Sequence, residues 1–112
     1  MRAYKSKVEK TKFGEIGELP SNFPTGYCVS VQSVYYSSKN PSEVLTLLDA
    51  QGDSFMRSLP GQGTDTGTPN PYVLDTPVTV QLPIKYVDTG DENAVIVWGE
   101  AYRVEQSLES SF

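Results

Sequence analysis

The chain has 112 residues and a mass of 12.3 kDa, with 38% hydrophobic, 21% charged and 11% aromatic residues, a composition suited to one globular domain. It holds no histidine and one cysteine, which excludes, within one chain, Ser-His-Asp and Cys-His nucleophile systems, His/Cys zinc sites and disulfides. The net charge of −5 is uneven: residues 1–12 carry Arg2, Lys5, Lys7, Lys10 and Lys12 against Glu9, net +4, and the other 100 residues carry four cations against 13 acids, net −9.

In chain order, residues 1–24 read as an extended basic arm followed by a surface strap. The arm suits an acidic protein surface or phosphate, and Tyr4 among its lysines offers a ring for insertion into a partner. The acidic remainder repels nucleic acid, so no nucleic-acid partner is expected. No apolar run of signal-peptide or membrane-span length follows the arm, so neither secretion nor a membrane partner is expected, and synthesis in the cytoplasm is. Phe13 to Pro24 (FGEIGELPSNFP) is rich in glycine and proline. Phe13, Ile16, Leu19 and Phe23 are its candidate anchors.

Residues 25–106 read as a β-sandwich domain, with 107–112 as a tail. Tyr27 to Tyr36 alternates, Val29 and Val31 against Ser30 and Gln32, as a half-buried strand does. Cys28 within it is expected as a buried small hydrophobe. Ser42 to Asp49 fits a two-turn helix or a buried strand. The strand is preferred, because Asp49-Ala50-Gln51-Gly52-Asp53 is a tight hairpin turn into Ser54-Phe55-Met56-Arg57. Leu59 to Pro71 is a long Gly/Pro/Thr connection. Val78, Val80, Leu82, Ile84 and Tyr86 alternate with polar residues and Pro83, which suggests an edge strand or a bulge. Asp88 to Asn93 is a polar turn, and Ala94 to Val104 returns, with Gly99 as a candidate bulge. Residues 78–87 and 94–104 are thus expected to form one long hairpin. Short alternating strands separated by turns predict an all-β fold, a small antiparallel β-sandwich or jelly-roll-like barrel with an extended N-terminal arm.

No chemistry-bearing motif stands out. GQGTDTG at 61–67 lacks the GK[ST] ending and following helix of a phosphate loop. Asp49, Asp53, Asp88, Asp91 and Glu92 suit calcium by ligand type but do not follow the EF-hand spacing, and Asx-type turns explain them more simply. Glu100, flanked at alternate positions by Trp98 and Tyr102, resembles a sugar platform, yet glycoside hydrolysis needs a second carboxylate at fixed distance. No catalytic residue, metal or cofactor is therefore expected. The surplus of seven tyrosines and one tryptophan points to interface anchors, foremost Trp98 and Tyr102.

The segment VLDTPVTVQLPIKYVDTGDENAVIVWGEAY at 73–102, with VLTLLDAQGDSF at 44–55, resembles small structural proteins of tailed bacteriophage particles. The resemblance covers about half of the chain and includes no catalytic residue. It implies a jelly-roll-like domain that decorates or cements a capsid on the virion surface, bound to the major capsid protein or other virion proteins. It also implies a homo-oligomer, a trimer being the expectation from lattice symmetry. The expected contact residues are Arg2, Tyr4, Lys5, Lys7, Lys10, Lys12, Trp98 and Tyr102. The alternatives are a carbohydrate- or peptide-binding sandwich centred on Trp98, Glu100 and Tyr102, and a tail or adaptor component of the virion.

Overall fold

The computed structural model of the chain describes residues 2–63 and 70–103. Its eight strands are β1 (Arg2–Val8), β2 (Ile16–Glu18), β3 (Tyr27–Tyr36), β4 (Val44–Leu48), β5 (Ser54–Pro60), β6 (Tyr72–Gln81), β7 (Lys85–Asp88) and β8 (Val95–Arg103). No helix occurs among the described residues. Two four-stranded antiparallel sheets result, β1-β8-β3-β6 (sheet A) and β2-β7-β4-β5 (sheet B). Strand 1 beside 8 and 3 beside 6 in one sheet, with 2 beside 7 and 4 beside 5 in the other, is the jelly-roll winding.

The alternating positions of the sequence meet between the sheets. Val29, Val31, Val34, Tyr36, Leu45, Leu47, Ile84, Val95, Val97 and Ala101 are completely buried there. Each fully buried Val, Leu or Ile stabilises the fold by roughly 1.5–3 kcal/mol relative to exposure. β4 forms as expected and joins β5 through the turn at Asp49–Asp53. The Asp49 carboxylate accepts hydrogen bonds from the amides of Gln51 (3.0 Å) and Asp53 (2.9 Å), and Gly52 takes φ +88°.

Several expectations change. First, 2–8 is not an arm outside the domain. It is β1, with seven consecutive residues in unbroken register with β8. Tyr4 is buried, at 3% exposure, and belongs to the core. Tyrosine and serine at every second place (Tyr4, Ser6) against exposed lysines (Lys5, Lys7) is itself a period-two pattern, masked by the charge. The domain therefore begins within the first residues, not at 25. Second, 78–87 and 94–104 are not one hairpin. β6 belongs to sheet A and β7 to sheet B, and β8 pairs with β1 and β3 instead. The alternation runs unbroken from Val80 through Leu82, Ile84 and Tyr86 because both sheets bury the same parity. Alternation reports the inward face, not the sheet. Pro83 lies at the crossing between the two strands, where no ladder needs its missing N–H.

Third, the strap is anchored differently. Leu19 is buried and Phe23 packs partly on the core, while Phe13 and Ile16 are about 70% exposed. The bulge expected at Gly99 lies across from it, on β3 between Val31 and Ser33. Gly99 has a different duty: a Cβ there would stand 2.2 Å from the Ser30 carbonyl oxygen. Cys28 is buried as expected. The centre of the 59–71 connection (residues 64–69), most of the GQGTDTG run, Val104 to Gln106 and the tail at 107–112 lie outside the described residues.

Candidate functional site

β1 is one edge of sheet A, and its ladder to β8 leaves the other side without a strand partner, although the strap at residues 20–23 lies beside it and its Pro20 carbonyl accepts a hydrogen bond from the Ser6 hydroxyl. Among the described residues, no backbone hydrogen bond beyond the ladder engages Arg2 to Val8. Arg2, Lys5 and Lys7 are exposed along this edge. The Arg2 guanidinium lies 5.1 Å from the centroid of the Phe23 ring, which packs at a tilt against Tyr4 and Tyr27. The Lys5 ammonium lies 6.0 Å from the Trp98 ring centroid, and Lys7 pairs with Glu9 at 3.0 Å.

Register places the aromatic side chains of sheet A beside these lysines. Lys5 stands opposite Trp98, which is opposite Ser33, which is opposite Val73. Lys7 stands opposite Ile96, which is opposite Tyr35. Trp98, Glu100 and Tyr102 share this outer face with Ile96, because their neighbours Val95, Val97, Gly99 and Ala101 point inward. Trp98, Tyr35 and Tyr102 are half-buried and Val73 is 66% exposed, while Ile96 has the outward parity but is itself buried. The result is a face on which Lys5 and Lys7 fringe Trp98 and Tyr35, with Glu100 between Trp98 and Tyr102, suited to a flat partner or a planar ligand.

The expected contact residues thus divide. Lys5, Lys7 and Trp98 come together, with Tyr102 on the same strand face and Arg2 at the far end of the edge. Tyr4 is withdrawn into the core and is not available to a partner. Lys10 and Lys12 are exposed in the segment after β1, and Lys10 approaches Glu92 at 3.5 Å. Tyr35, Ile96 and Val73 are not among the expected contact residues, and of these Ile96 is buried. Tyr35 and Ile96 lie in predicted strands at the outward parity, which was the available signal. Their adjacency to Lys7 depends on strand order, which no local pattern carries.

The opposite kind of site lies at the loop end of the sandwich. Asp88, the last residue of β7, is completely buried. Its carboxylate accepts hydrogen bonds from the hydroxyls of Thr11 and Tyr36, from the Asn93 amide (2.9 Å) and from the Gly90 N–H (2.7 Å). Asn93 also donates to Glu43 (3.1 Å), which accepts from the Ser38 hydroxyl at 2.7 Å. Burial pushes the Asp88 carboxyl upward, but the donors outweigh it and hold the group below its ordinary 3.8. Burial, with the hydrogen bond to Asp88 and its charge, drives the Tyr36 phenol far above its ordinary 10.0. Every oxygen of Asp88 is engaged from inside the protein. Such an arrangement ties the 9–15 segment, β3 and the 89–94 turn together and presents nothing to a ligand.

Asp88, read in the sequence as part of a polar turn, is therefore an internal anchor. Among the described residues, no three carboxylate or thiol groups gather as metal ligands. Three shallow grooves flank the strap. One of about 260 Å³ is lined by Arg2, Tyr4, Lys5, Asn22 and Phe23, and one of about 210 Å³ by Lys5, Ser6, Lys7, Pro20, Ser21 and Asn22. The third, about 200 Å³, lies between Glu18, Phe23, Leu82 and Pro83. No family model, curated protein or solved structure matches the chain.

Proposed function

We propose that the chain is a non-enzymatic structural protein of a virus particle, a capsid decoration or cement protein. In this reading it is held on the outer lattice through the outer face of sheet A and the β1 edge. Its partner is the major capsid protein or another virion protein, and the decorating unit is a homo-oligomer, with a trimer matching local lattice symmetry. The observation that carries the reading is the jelly-roll winding joined to a sheet face on which Lys5, Lys7, Trp98 and Tyr35 gather over the buried Ile96. Jelly rolls recur in viral structural proteins. Aromatic anchors fringed by cations are the composition of a protein-binding surface.

Deleting residues 1–12 is unsuited as a test, since it removes β1 and Tyr4 from the fold. Charge reversal at Lys5 and Lys7 leaves the core intact. Quantitative mass spectrometry of purified particles tests the reading. Copy numbers on the scale of the lattice support decoration, a single symmetry set indicates a tail or adaptor part, and absence from particles overturns the reading.

A second reading is favoured by one observation: Trp98, Glu100 and Tyr102 do share one outward face. A carbohydrate-binding module, another frequent use of the jelly roll, would use it as a stacking platform. Glycan-array binding lost in Trp98→Ala supports that reading, and an empty array removes it.

A further inference from the structure

We infer that β1 is a docking edge that accepts an extended, acidic segment of a partner protein as an added strand of sheet A. The inference deepens the proposed function and rests on the chain being held by a neighbour, but it names the mode and chemistry of the contact.

The four sheet edges are not equivalent. β2 has three residues. β5 breaks register twice against β4, and Ser58 within it takes φ +56°. β6 is interrupted opposite Gln32, where Leu74 to Pro77 leave the register, and Pro77 cannot donate to a ladder. Bulges, short length and proline are the usual means of blunting an edge. β1 has no bulge, no proline and no shortening; its protection is the charge of Lys5 and Lys7 and the strap at residues 20–23, which lies beside it and accepts the Ser6 hydroxyl at the Pro20 carbonyl. It is seven residues long and regular throughout, and its free side borders the two grooves that share Lys5 and Asn22.

Charge decides what can pair there. Lys5 and Lys7 occupy alternate positions on one face, so an added strand meets them with its own alternate residues. A second β1 would bring lysines against lysines, which opposes edge-to-edge pairing of two copies. A segment with carboxylates at two alternate positions satisfies both cations and gains the backbone ladder. On the other face Tyr4 and Ser6 are buried and the Ser6 hydroxyl donates to the Pro20 carbonyl, so an added strand there meets the strap at residues 20–23 and not those side chains.

The test uses the full-length protein and two blocked heptapeptides, one alternating Glu and Val and one alternating Lys and Val. Amide hydrogen exchange is followed by mass spectrometry, together with the fluorescence of Trp98, the single tryptophan. The Glu/Val peptide should slow exchange in β1 in proportion to occupancy, by roughly tenfold at a tenfold excess over its Kd. The Lys/Val peptide should not. In the double variant Lys5→Glu/Lys7→Glu, checked for an unchanged circular dichroism spectrum, the preference should reverse. Equal protection by both peptides, no protection in β1, or a Trp98 fluorescence change without β1 protection overturns the strand-addition mode. Peptide protection by a protein that is absent from particles would leave the edge assignment standing and remove the virion reading.

Discussion

Around Asp88, four donors converge on one buried carboxylate, and the neighbouring Asn93, Glu43 and Ser38 extend the network. Along β1, Arg2 and Lys5 rest on aromatic rings and Lys7 holds a single exposed ion pair. Both regions are charged, but they are built oppositely. The first consumes its hydrogen-bonding capacity inside the protein and so contributes to stability. The second keeps its capacity facing out and is worth little to the fold, since exposed pairs contribute about 0–1 kcal/mol at most. Charge concentration alone does not mark a binding surface; what matters is whether the charge is already satisfied.

Substitutions can break this comparison, and Asp88→Ala should have the largest effect. It strands the donors of Thr11, Tyr36, Asn93 and Gly90 in a buried site, with an expected loss of about 3 kcal/mol. Thermal unfolding should show Tm lowered by more than ~10 °C. A change of a degree or two would mean that the network is not structural. Gly99→Ala comes next, because its Cβ would meet the Ser30 carbonyl at 2.2 Å. Separation of β8 from β3 should cost about 2 kcal/mol in denaturant unfolding. It would also tilt the Trp98 face, so binding should weaken in parallel.

The pH dependence sharpens the same contrast. The Asp88 carboxyl titrates below its ordinary 3.8 in the folded protein. Its contribution is therefore fully present above that ordinary value and is lost as pH falls through the lower, folded value. Stability of the native chain should decline more steeply below about pH 4 than that of Asp88→Asn, which has no such proton to bind. Parallel acid-unfolding curves would contradict the assignment. Lys5→Glu/Lys7→Glu should change stability by less than about 0.5 kcal/mol while abolishing preference for an acidic partner. Tyr4→Phe should matter least. The Tyr4 hydroxyl is buried without a hydrogen-bond partner among the described residues, so its removal should leave stability within about 1 kcal/mol of the native value, on the favourable side.

Much of this fold is legible in the residues. Val29, Val31, Val80, Ile84, Val95 and Val97 announce their burial by alternation, and Asp49–Asp53 announces its turn by Gly52 and the Asx geometry. What misleads is equally physical. The Val78–Tyr86 run keeps its parity across two sheets, so one strand is read where there are two. The lysines of β1 conceal a strand whose inward residues are only Tyr4, Ser6 and Val8. Of the candidate surface, Trp98 and Tyr102 are visible as outward aromatics of one strand, and Lys5 and Lys7 as cations. Their union is not visible, because β1 and β8 stand at opposite ends of the chain and meet only through the jelly-roll winding. The Asp88 network is hidden for the same reason: Thr11, Tyr36 and Asp88 are distant in sequence, and a buried aspartate looks like any turn aspartate.

The most direct test of the central claim, that the β1 edge and the adjoining face of sheet A form the contact surface, is particle occupancy of the native chain against Lys5→Glu/Lys7→Glu. Both would be supplied in equal amount and counted by quantitative mass spectrometry on purified particles. Lattice-scale occupancy is expected for the native chain and loss of most copies for the variant, with the variant's Tm unchanged. Equal occupancy of the two would contradict the central claim.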